Sequence, residues 1–186
     1  RMTNMIKDRS DWCISRQRSW GVPIPIFYCE ECGKEYINSE TIAKVQELFA
    51  KEGSNAWFTK TPEEILGGEH TCECGCKKLV KEKDIMDVWF DSGSSHEGVL
   101  NPNYGYDEGK ADMYMEGNDQ YRGWFQSSLL TSVATKGCAP YKEVVTHGMV
   151  VDGEGKKMSK SLGNGIAPLD IVNEYGADIL RMWATS

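Results

Sequence analysis

The sequence predicts an α/β protein with a small cysteine-containing insert. Two apolar stretches, 112–116 and 143–151, have the composition of buried strands, and the stretch between them repeats apolar side chains at helical spacing until Gly137 and Pro140. A strand, a helix and a second strand in this order are typical of a parallel sheet. Five of the seven cysteines lie in two short clusters, as they do in metal-binding segments.

The composition is that of a globular protein. The 186 residues are 40% hydrophobic and carry a formal net charge of −7, which argues against nonspecific nucleic-acid binding over the whole surface. No apolar run approaches the roughly 20 residues of a membrane span, and the polar start 1–4 does not resemble a signal peptide. Clustered cysteines are typical of a reducing compartment. These features predict a soluble, cytoplasmic protein without a membrane partner.

The two cysteine clusters predict a zinc site. Cys29-x2-Cys32 is followed by Gly33, and two thiolates at this spacing can bind one ion while the glycine lets the backbone turn beneath it. The second cluster offers more candidates than a four-coordinate ion needs, so the ligands there stay open: Cys72, Cys74, Cys76 and His70. A site with four sulfur ligands leaves no position for water or substrate, so its role is structural.

The segment between the clusters has its own helices. Ser39 is placed to cap a helix that ends at Gly53. Thr61, followed by proline, begins a second, shorter helix with a capping box, and Gly67 ends it. Such a segment is too small for a large core of its own, so we expect the metal to provide much of its stability.

A lysine-rich loop follows the second predicted strand. Residues 156–164 read Lys-Lys-Met-Ser-Lys-Ser-Leu-Gly-Asn, with glycines on both sides that allow the segment to bend. Its cationic and hydroxyl donors suit the oxygens of a polyphosphate, although a solvated basic turn has the same composition. The loop is not a Walker P-loop, because Glu154 stands where that motif requires lysine.

Polar side chains follow the first predicted strand, where ligands bind in open parallel sheets. They are Glu116, Gly117, Asp119 and Gln120, whereas the neighbouring Asn118 is expected only to cap the next helix. The apolar run 84–96 is expected to be a strand or turn that delivers Trp89 to a cleft.

Several of these stretches resemble one family. Lys-Met-Ser-Lys-Ser, which ends at Ser161, resembles the second signature of the class I aminoacyl-tRNA synthetases, a signature that closes over ATP during amino-acid activation. The string Trp12–Gly21 resembles the junction between the editing insert and the catalytic core of members with branched-chain substrates. The stretches 87–95 and 116–125 resemble the branch of the family that activates isoleucine.

The resemblance implies a domain organisation. Residues 1–28 would connect an editing insert to the catalytic core, and residues 29–83 would form the zinc-binding insert. Residues 84–166 would be the second, C-terminal half of a Rossmann-like catalytic domain, including the lysine loop. Residues 167–186 would begin a helical region that the chain truncates. The histidine signature of the first Rossmann strand is missing, so the chain alone is expected to be inactive.

The resemblance also assigns roles to residues. The catalytic residues would be Lys157 and Lys160. The residues that bind ATP and the adenylate would be Glu116, Gly117, Asp119, Gln120, His147, Met149 and Lys160. Trp89 and Trp124 would form walls of the amino-acid pocket. For zinc, the resemblance favours Cys29, Cys32, Cys72 and Cys74, while Cys76 or His70 could substitute.

The implied reaction joins L-isoleucine to tRNA(Ile). ATP with Mg²⁺ would convert isoleucine to isoleucyl-adenylate, and the aminoacyl group would then pass to the tRNA, in a monomeric parent protein. One alternative is a class I synthetase specific for valine, which the stretches around Trp89 and Trp124 disfavour. Another is a nonenzymatic zinc-ribbon that binds RNA, which the acidic residues beside the cysteines argue against: Glu30, Glu31, Glu35 and Glu73.

Overall fold

The computed structural model describes residues 2–106 and 109–186, so Arg1 of the predicted connector lies outside the described part. The helices are α1 (Met2–Lys7), α2 (Ser39–Glu52), α3 (Ala56–Thr59), α4 (Pro62–Leu66), α5 (Val88–Gly93), α6 (Ser95–Val99), α7 (Trp124–Lys136), α8 (Pro168–Tyr175) and α9 (Ala177–Ala184). The strands are β1 (Ser15–Arg16), β2 (Phe27–Cys29), β3 (Glu35–Tyr36), β4 (Leu79–Lys81), β5 (Ile85–Met86), β6 (Ala111–Gly117) and β7 (Tyr141–His147). Short 3-10 turns occupy Pro102–Tyr104 and Asn118–Arg122.

The cysteine-containing segment folds around its own core. β2 lies between β3 and β4 in an antiparallel sheet, and helices α2 to α4 pack against it. The buried core residues are Phe27, Val45, Trp57, Ile65, Leu66 and Leu79. The Trp57 indole N–H donates to the Glu82 carbonyl at 3.0 Å, so even the polar edge of the largest core side chain is satisfied.

Local helix signals were largely readable from the sequence. The capping box of α4 is confirmed, because Thr61 accepts from the Glu64 backbone and Glu64 accepts from the Thr61 backbone. The predicted cap of α2 was wrong by one residue. Asn38, not Ser39, accepts from the backbone N–H groups of the first turn, because its extended backbone places the side-chain oxygen over them.

β6, α7 and β7 form the predicted parallel unit. The strands pair in parallel from Ala111 opposite Tyr141 to Gly117 opposite His147, and α7 connects them. The prediction that these strands are buried was wrong, since Met113 and Met115 are 45% and 59% exposed. Burial of a parallel strand requires cover on both faces, and only one face is covered within the described residues.

The segment that carries Trp89 is a helix rather than a strand or turn. β5 pairs antiparallel with β1 for two residues, and the chain then enters α5 directly. α5 packs closely on α7, so closely that a methyl group added at Gly93 would lie 2.8 Å from the Ser127 carbonyl carbon. Glycine at this position therefore sets the separation of the two helices.

The chain continues beyond the lysine loop as two short helices. α8 begins with Pro168 at its first position, and α9 follows after Gly176. Their apolar faces are exposed, with Leu169 at 71% and Trp183 at 56%. No helix among the described residues is long and apolar enough to cross a membrane.

Replacing Gly93 with alanine should loosen the packing of α5 on α7. We expect Gly93→Ala to lower the free energy of unfolding by about 1–3 kcal/mol, because the added methyl group would meet backbone. Gly98→Ala is the matched control, since nothing lies within 4 Å of its added methyl group. Alanine there should be neutral or stabilise by up to about 1 kcal/mol. Urea unfolding measures both changes, and equal losses would contradict this packing.

Candidate adenylate site and cysteine cluster

The carboxyl ends of β6 and β7 bring several predicted site residues together. Gly117 pairs with His147, so Glu116 and His147 lie at the same edge of the sheet. A methyl group added at Gly117 would lie 2.8 Å from the Asp119 carboxylate and 3.4 Å from the Met149 side chain. A larger residue at Gly117 would displace the Asp119 side chain, and the edge opens to solvent because Glu116, Asp119 and His147 are exposed.

Gln120 has a structural role that the sequence analysis did not assign. Its side-chain oxygen accepts from the Trp124 backbone N–H at 3.0 Å, at the start of α7. A methyl group added at Gly123 would meet that oxygen, so a larger residue there would displace the Gln120 side chain from the start of α7. Asn118, which was expected to cap this helix, makes no capping hydrogen bond and lies in the 3-10 turn instead.

The two tryptophans predicted to line a pocket lie on neighbouring helices. The edge of the Trp89 ring lies beside Gly123, the residue directly before Trp124. A methyl group added at Gly123 would be 3.1 Å from that ring edge. The Trp124 ring stacks on Tyr114, with ring centroids 4.0 Å apart, and its N–H donates to the Ser92 carbonyl at 2.9 Å. Trp124 is therefore fixed, while Trp89 remains 44% exposed and available to a ligand.

Asp87 joins the connector to the helix that carries Trp89. Its carboxylate caps α5 by accepting from the Trp89 backbone N–H, and it also accepts from the Trp12 indole at 3.0 Å and the Arg16 guanidinium at 2.5 Å. Burial would raise the pKa of Asp87, but the hydrogen bonds from Trp89 and Trp12 and the positive charge of Arg16 outweigh it and hold that pKa below its ordinary value. An acidic residue just before a helical stretch was the available signal for this cap.

The lysine loop begins as a hairpin directly after Met149. Val151 pairs antiparallel with Lys157, and the Met158 N–H donates to the Val150 carbonyl at 3.1 Å. Lys156 forms an ion pair with Glu154 at 2.7 Å.

The signature lysines have a different electrostatic setting. Lys157 and Lys160 are exposed, and in the part of the chain that the structure covers neither ammonium group lies within 4.0 Å of a carboxylate. Among the described residues, the hairpin therefore carries two cations without an ion-pair partner, and it begins a few residues after β7 ends. No hydrogen bond within the described ranges joins these lysines to the strand-end residues.

The structure also brings four cysteine sulfurs into one cluster. The sulfurs of Cys29, Cys32, Cys72 and Cys74 all lie within 4.8 Å of one another. The sulfurs of Cys29 and Cys74 are 3.5 Å apart, and those of Cys32 and Cys72 are 3.6 Å apart. Tetrahedral ligands at a Zn–S distance of about 2.3 Å would be about 3.8 Å apart. The donor set and its spacing therefore fit a zinc ion.

Two glycine turns shape the cluster. The Gly33 N–H donates to the Cys29 carbonyl, and the Gly75 N–H donates to the Cys72 carbonyl, each glycine with positive φ. The backbone N–H of Cys32 lowers the pKa of the Cys29 thiol to about 6, whereas burial and hydrogen bonds with the neighbouring sulfurs raise the pKa of Cys32 and Cys74. Backbone N–H groups aimed at sulfur favour the thiolate, which is the form that binds a metal.

The alternative ligands are engaged elsewhere. The Cys76 sulfur accepts from the Lys78 backbone N–H at 3.4 Å, and His70 Nδ1 lies 3.1 Å from the Tyr36 hydroxyl. Neither belongs to the group of mutually close sulfurs. Among the candidates that the sequence left open, the geometry favours the pair with the shorter spacing, Cys72 and Cys74.

The family follows from comparison of the whole chain. The profile described as tRNA synthetases class I (I, L, M and V) matches residues 1–186, and the chain belongs to this family. The LeuRS of Agrobacterium radiobacter K84 agnB2, solved in a ternary complex with tRNA and LeuAMS, is similar in structure. The TM-score is 0.56 at 25% sequence identity, over 91% of this chain and 23% of that one. The fold is that of a class I synthetase catalytic domain with mixed helices and strands.

Individual proteins with high sequence identity to the chain are isoleucine–tRNA ligases. The chain is 66% identical over 188 residues to the isoleucine–tRNA ligase of Thermoanaerobacter sp. (strain X514). It is 64% identical over 188 residues to that of Caldanaerobacter subterraneus subsp. tengcongensis, and 66% identical over 187 residues to that of Caldicellulosiruptor saccharolyticus. Each comparison covers 100% of this chain and 20% of the relative, so the chain spans a fifth of their length.

Removing the Asp87 charge should destabilise the protein in a pH-dependent way. We expect Asp87→Asn to cost about 1–3 kcal/mol of unfolding free energy at pH 7, since the Arg16 and Trp12 donors lose their acceptor. The pKa of Asp87 is lowered on folding, so its contribution is present above the unfolded pKa of about 4 and disappears as pH falls through the folded pKa. The difference from wild type, measured by urea unfolding, should shrink towards pH 3.

The matched control is Asp91→Asn, in the same helix. Burial and the Asp87 charge raise the pKa of Asp91, so its ionised form opposes folding at neutral pH. Its replacement should therefore be neutral or stabilising. If Asp91→Asn lowered the free energy of unfolding as much as Asp87→Asn does, an aspartate-to-asparagine change anywhere near α5 would be destabilising. The role assigned to Asp87 would then be wrong.

Proposed function

We propose that this chain is part of an isoleucine–tRNA ligase, which activates L-isoleucine with ATP and transfers it to tRNA(Ile). The observation that carries the proposal is the hairpin directly after the end of β7, whose lysines Lys157 and Lys160 have no ion-pair partner among the described residues. High identity to isoleucine–tRNA ligases over the whole chain supports the choice of amino acid, and it disfavours valine.

Within this proposal the strand-end residues bind the nucleotide. Glu116 and Asp119 supply acceptors for hydroxyl and ammonium groups of the adenylate, and Gly117 allows close approach of its backbone. Met149 and the ring of His147 offer contacts for adenine. Gln120 contributes by fixing the start of α7, so that the position of Trp124 relative to these acceptors is held constant.

The lysines act on the phosphates. The chemistry is positioning and electrostatic stabilisation, with the lysines as the charge-stabilising groups. As the isoleucine carboxylate attacks the α-phosphate of Mg-bound ATP, negative charge moves to the departing pyrophosphate. Lys157 and Lys160 can contact that charge more strongly than they contact bound ATP, which lowers the barrier.

The amino-acid side chain is proposed to lie against Trp89 and Trp124. The Trp124 ring is held by its stacking on Tyr114 and by its hydrogen bond to Ser92, so it forms a rigid wall. The exposed Trp89 ring forms the opposite wall. A rigid apolar pocket distinguishes one methylene group by roughly 1–3 kcal/mol, which is the difference between isoleucine and valine.

We further propose that the chain is the second half of a Rossmann-like catalytic domain with a zinc-binding insert. The parallel β6–α7–β7 unit and the exposed apolar strand residues support the first part, and the four-sulfur cluster supports the second. The chain holds the lysine side of the site only, so it should not catalyse isoleucine-dependent pyrophosphate exchange by itself. The full-length protein should do so, with the connector 1–28 leading from an editing insert.

Zinc analysis tests the ligand assignment. The purified protein should contain one zinc per chain, and Cys74→Ser should lose most of it and unfold at a lower temperature, since a structural ion contributes folding free energy. Cys76→Ser is the control, because its sulfur bonds only to the Lys78 backbone among the described contacts. The assignment is wrong if Cys76→Ser loses the metal and Cys74→Ser keeps it.

Kinetics of the full-length protein test the role of the lysine loop. Lys160→Ala should slow isoleucine-dependent pyrophosphate exchange by about 10²–10³ in kcat, by analogy with loss of a charge-stabilising donor, and should leave the KM for isoleucine nearly unchanged. Lys156→Ala should change kcat by no more than about fivefold, because that lysine is already paired with Glu154 at the surface. If kcat fell equally in the two variants, the loop would act only through its total charge and not through the position of Lys160.

A further inference from the structure

The lysine loop is held by two side chains that no step of the proposed reaction uses. The Asp152 carboxylate accepts from the backbone N–H groups of Glu154 at 3.0 Å and Lys156 at 2.9 Å. Its second oxygen accepts from the Asn164 side-chain amide at 2.7 Å. The Asn164 side-chain oxygen in turn accepts from the Ser159 backbone N–H at 2.9 Å. One acid and one amide thus join the two ends of the loop.

These contacts enclose the signature from both sides. Lys157 and Lys160 are exposed, whereas Asp152, Ser159 and Asn164 are the half-buried positions around them. The Asn164 amide also lies 3.4 Å from the Lys157 carbonyl. The backbone that carries both lysines is therefore fixed through the side chains of two residues that lie outside the signature.

The charge of Asp152 is otherwise unfavourable at this place. A loop that binds a polyphosphate gains from positive potential, and a carboxylate within it reduces that potential. Asparagine at 152 would avoid this cost. Its side-chain NH2 group would then face the NH2 group of Asn164, so two donors would meet where one donor and one acceptor are needed. The carboxylate is therefore explained by the hydrogen bonds it accepts and not by its charge.

We propose that the hydrogen-bonded pair Asp152 and Asn164, here named the Asp152–Asn164 clip, positions the backbone of Lys157 and Lys160 for phosphate contact. Both members are positioning residues, since they act through the lysines. The proposal rests on the proposed function, because it concerns the step in which those lysines contact the phosphates. A displacement of about 1 Å in such a contact is sufficient to lower the rate by roughly 10²-fold.

The test exchanges the two side chains. In the full-length protein, Asp152→Asn and Asn164→Asp should each lower kcat for isoleucine-dependent pyrophosphate exchange by about 10- to 100-fold, with the KM for isoleucine unchanged. The double variant Asp152→Asn with Asn164→Asp restores one donor opposite one acceptor and has the wild-type net charge. It should regain most of the lost kcat.

Glu154→Gln controls for charge in the same turn. It removes the same charge as Asp152→Asn, but the Glu154 side chain contacts only Lys156 among the described partners. Its kcat should stay close to that of the wild type. The clip is refuted if Asp152→Asn turns over like wild type, if Glu154→Gln is equally slow, or if the double variant is no faster than the slower single variant.

Amide hydrogen exchange across residues 150–164 separates the clip from the reaction. Both single variants should exchange faster at Lys156 and Ser159, whose N–H groups the clip accepts from, and the double variant should return to the wild-type rate. This result does not depend on catalysis. If the full-length wild-type protein showed no isoleucine-dependent pyrophosphate exchange, the proposed function would be overturned. If amide hydrogen exchange in the single variants were the same as in the wild type, the clip would be overturned.

Discussion

The arrangement of the amino-acid side of the site depends on one buried carboxylate. Asp87 lies where the connector strand β1, its partner β5 and helix α5 meet, and it accepts hydrogen bonds from Arg16, Trp12 and the first turn of α5. An unpaired charge at this depth would be costly, so the three donors must be in place when the protein folds. Because α5 carries Trp89, the same carboxylate that joins strand β1 to helix α5 also orients a wall of the proposed pocket.

The two halves of the chain are stabilised differently. The cysteine-containing insert has a closed core around Phe27 and Trp57 and a cluster of sulfurs that fits a metal. In the β6–α7–β7 unit, helix α7 covers one face of the strand pair, and apolar side chains such as Met115 remain exposed. The chain spans 20% of the length of its relatives. This face of the sheet is therefore open to solvent, whereas the insert is largely self-contained.

Features that depend on neighbouring residues were predictable from the sequence, and those that depend on distant partners were not. The capping box at Thr61 and the two glycine turns of the cysteine cluster follow from short spacings. The error of one residue at Asn38 arose because adjacent Asn and Ser side chains are both good caps. Arg16, the partner of Asp87, lies 71 residues away from it, and the exposure of β6 depends on which strands and helices surround it. Neither feature could therefore be predicted from neighbouring residues in the sequence.

We propose that one site, built from the ends of β6 and β7 and the start of α7, binds the activated amino acid. The most direct measurement is a crystal structure of the full-length protein with a nonhydrolysable isoleucyl-adenylate analogue. We expect adenine beside His147 and Met149, and the isoleucine side chain between Trp89 and Trp124. An analogue bound away from this edge, or an isoleucine side chain that contacts neither tryptophan, would contradict the account.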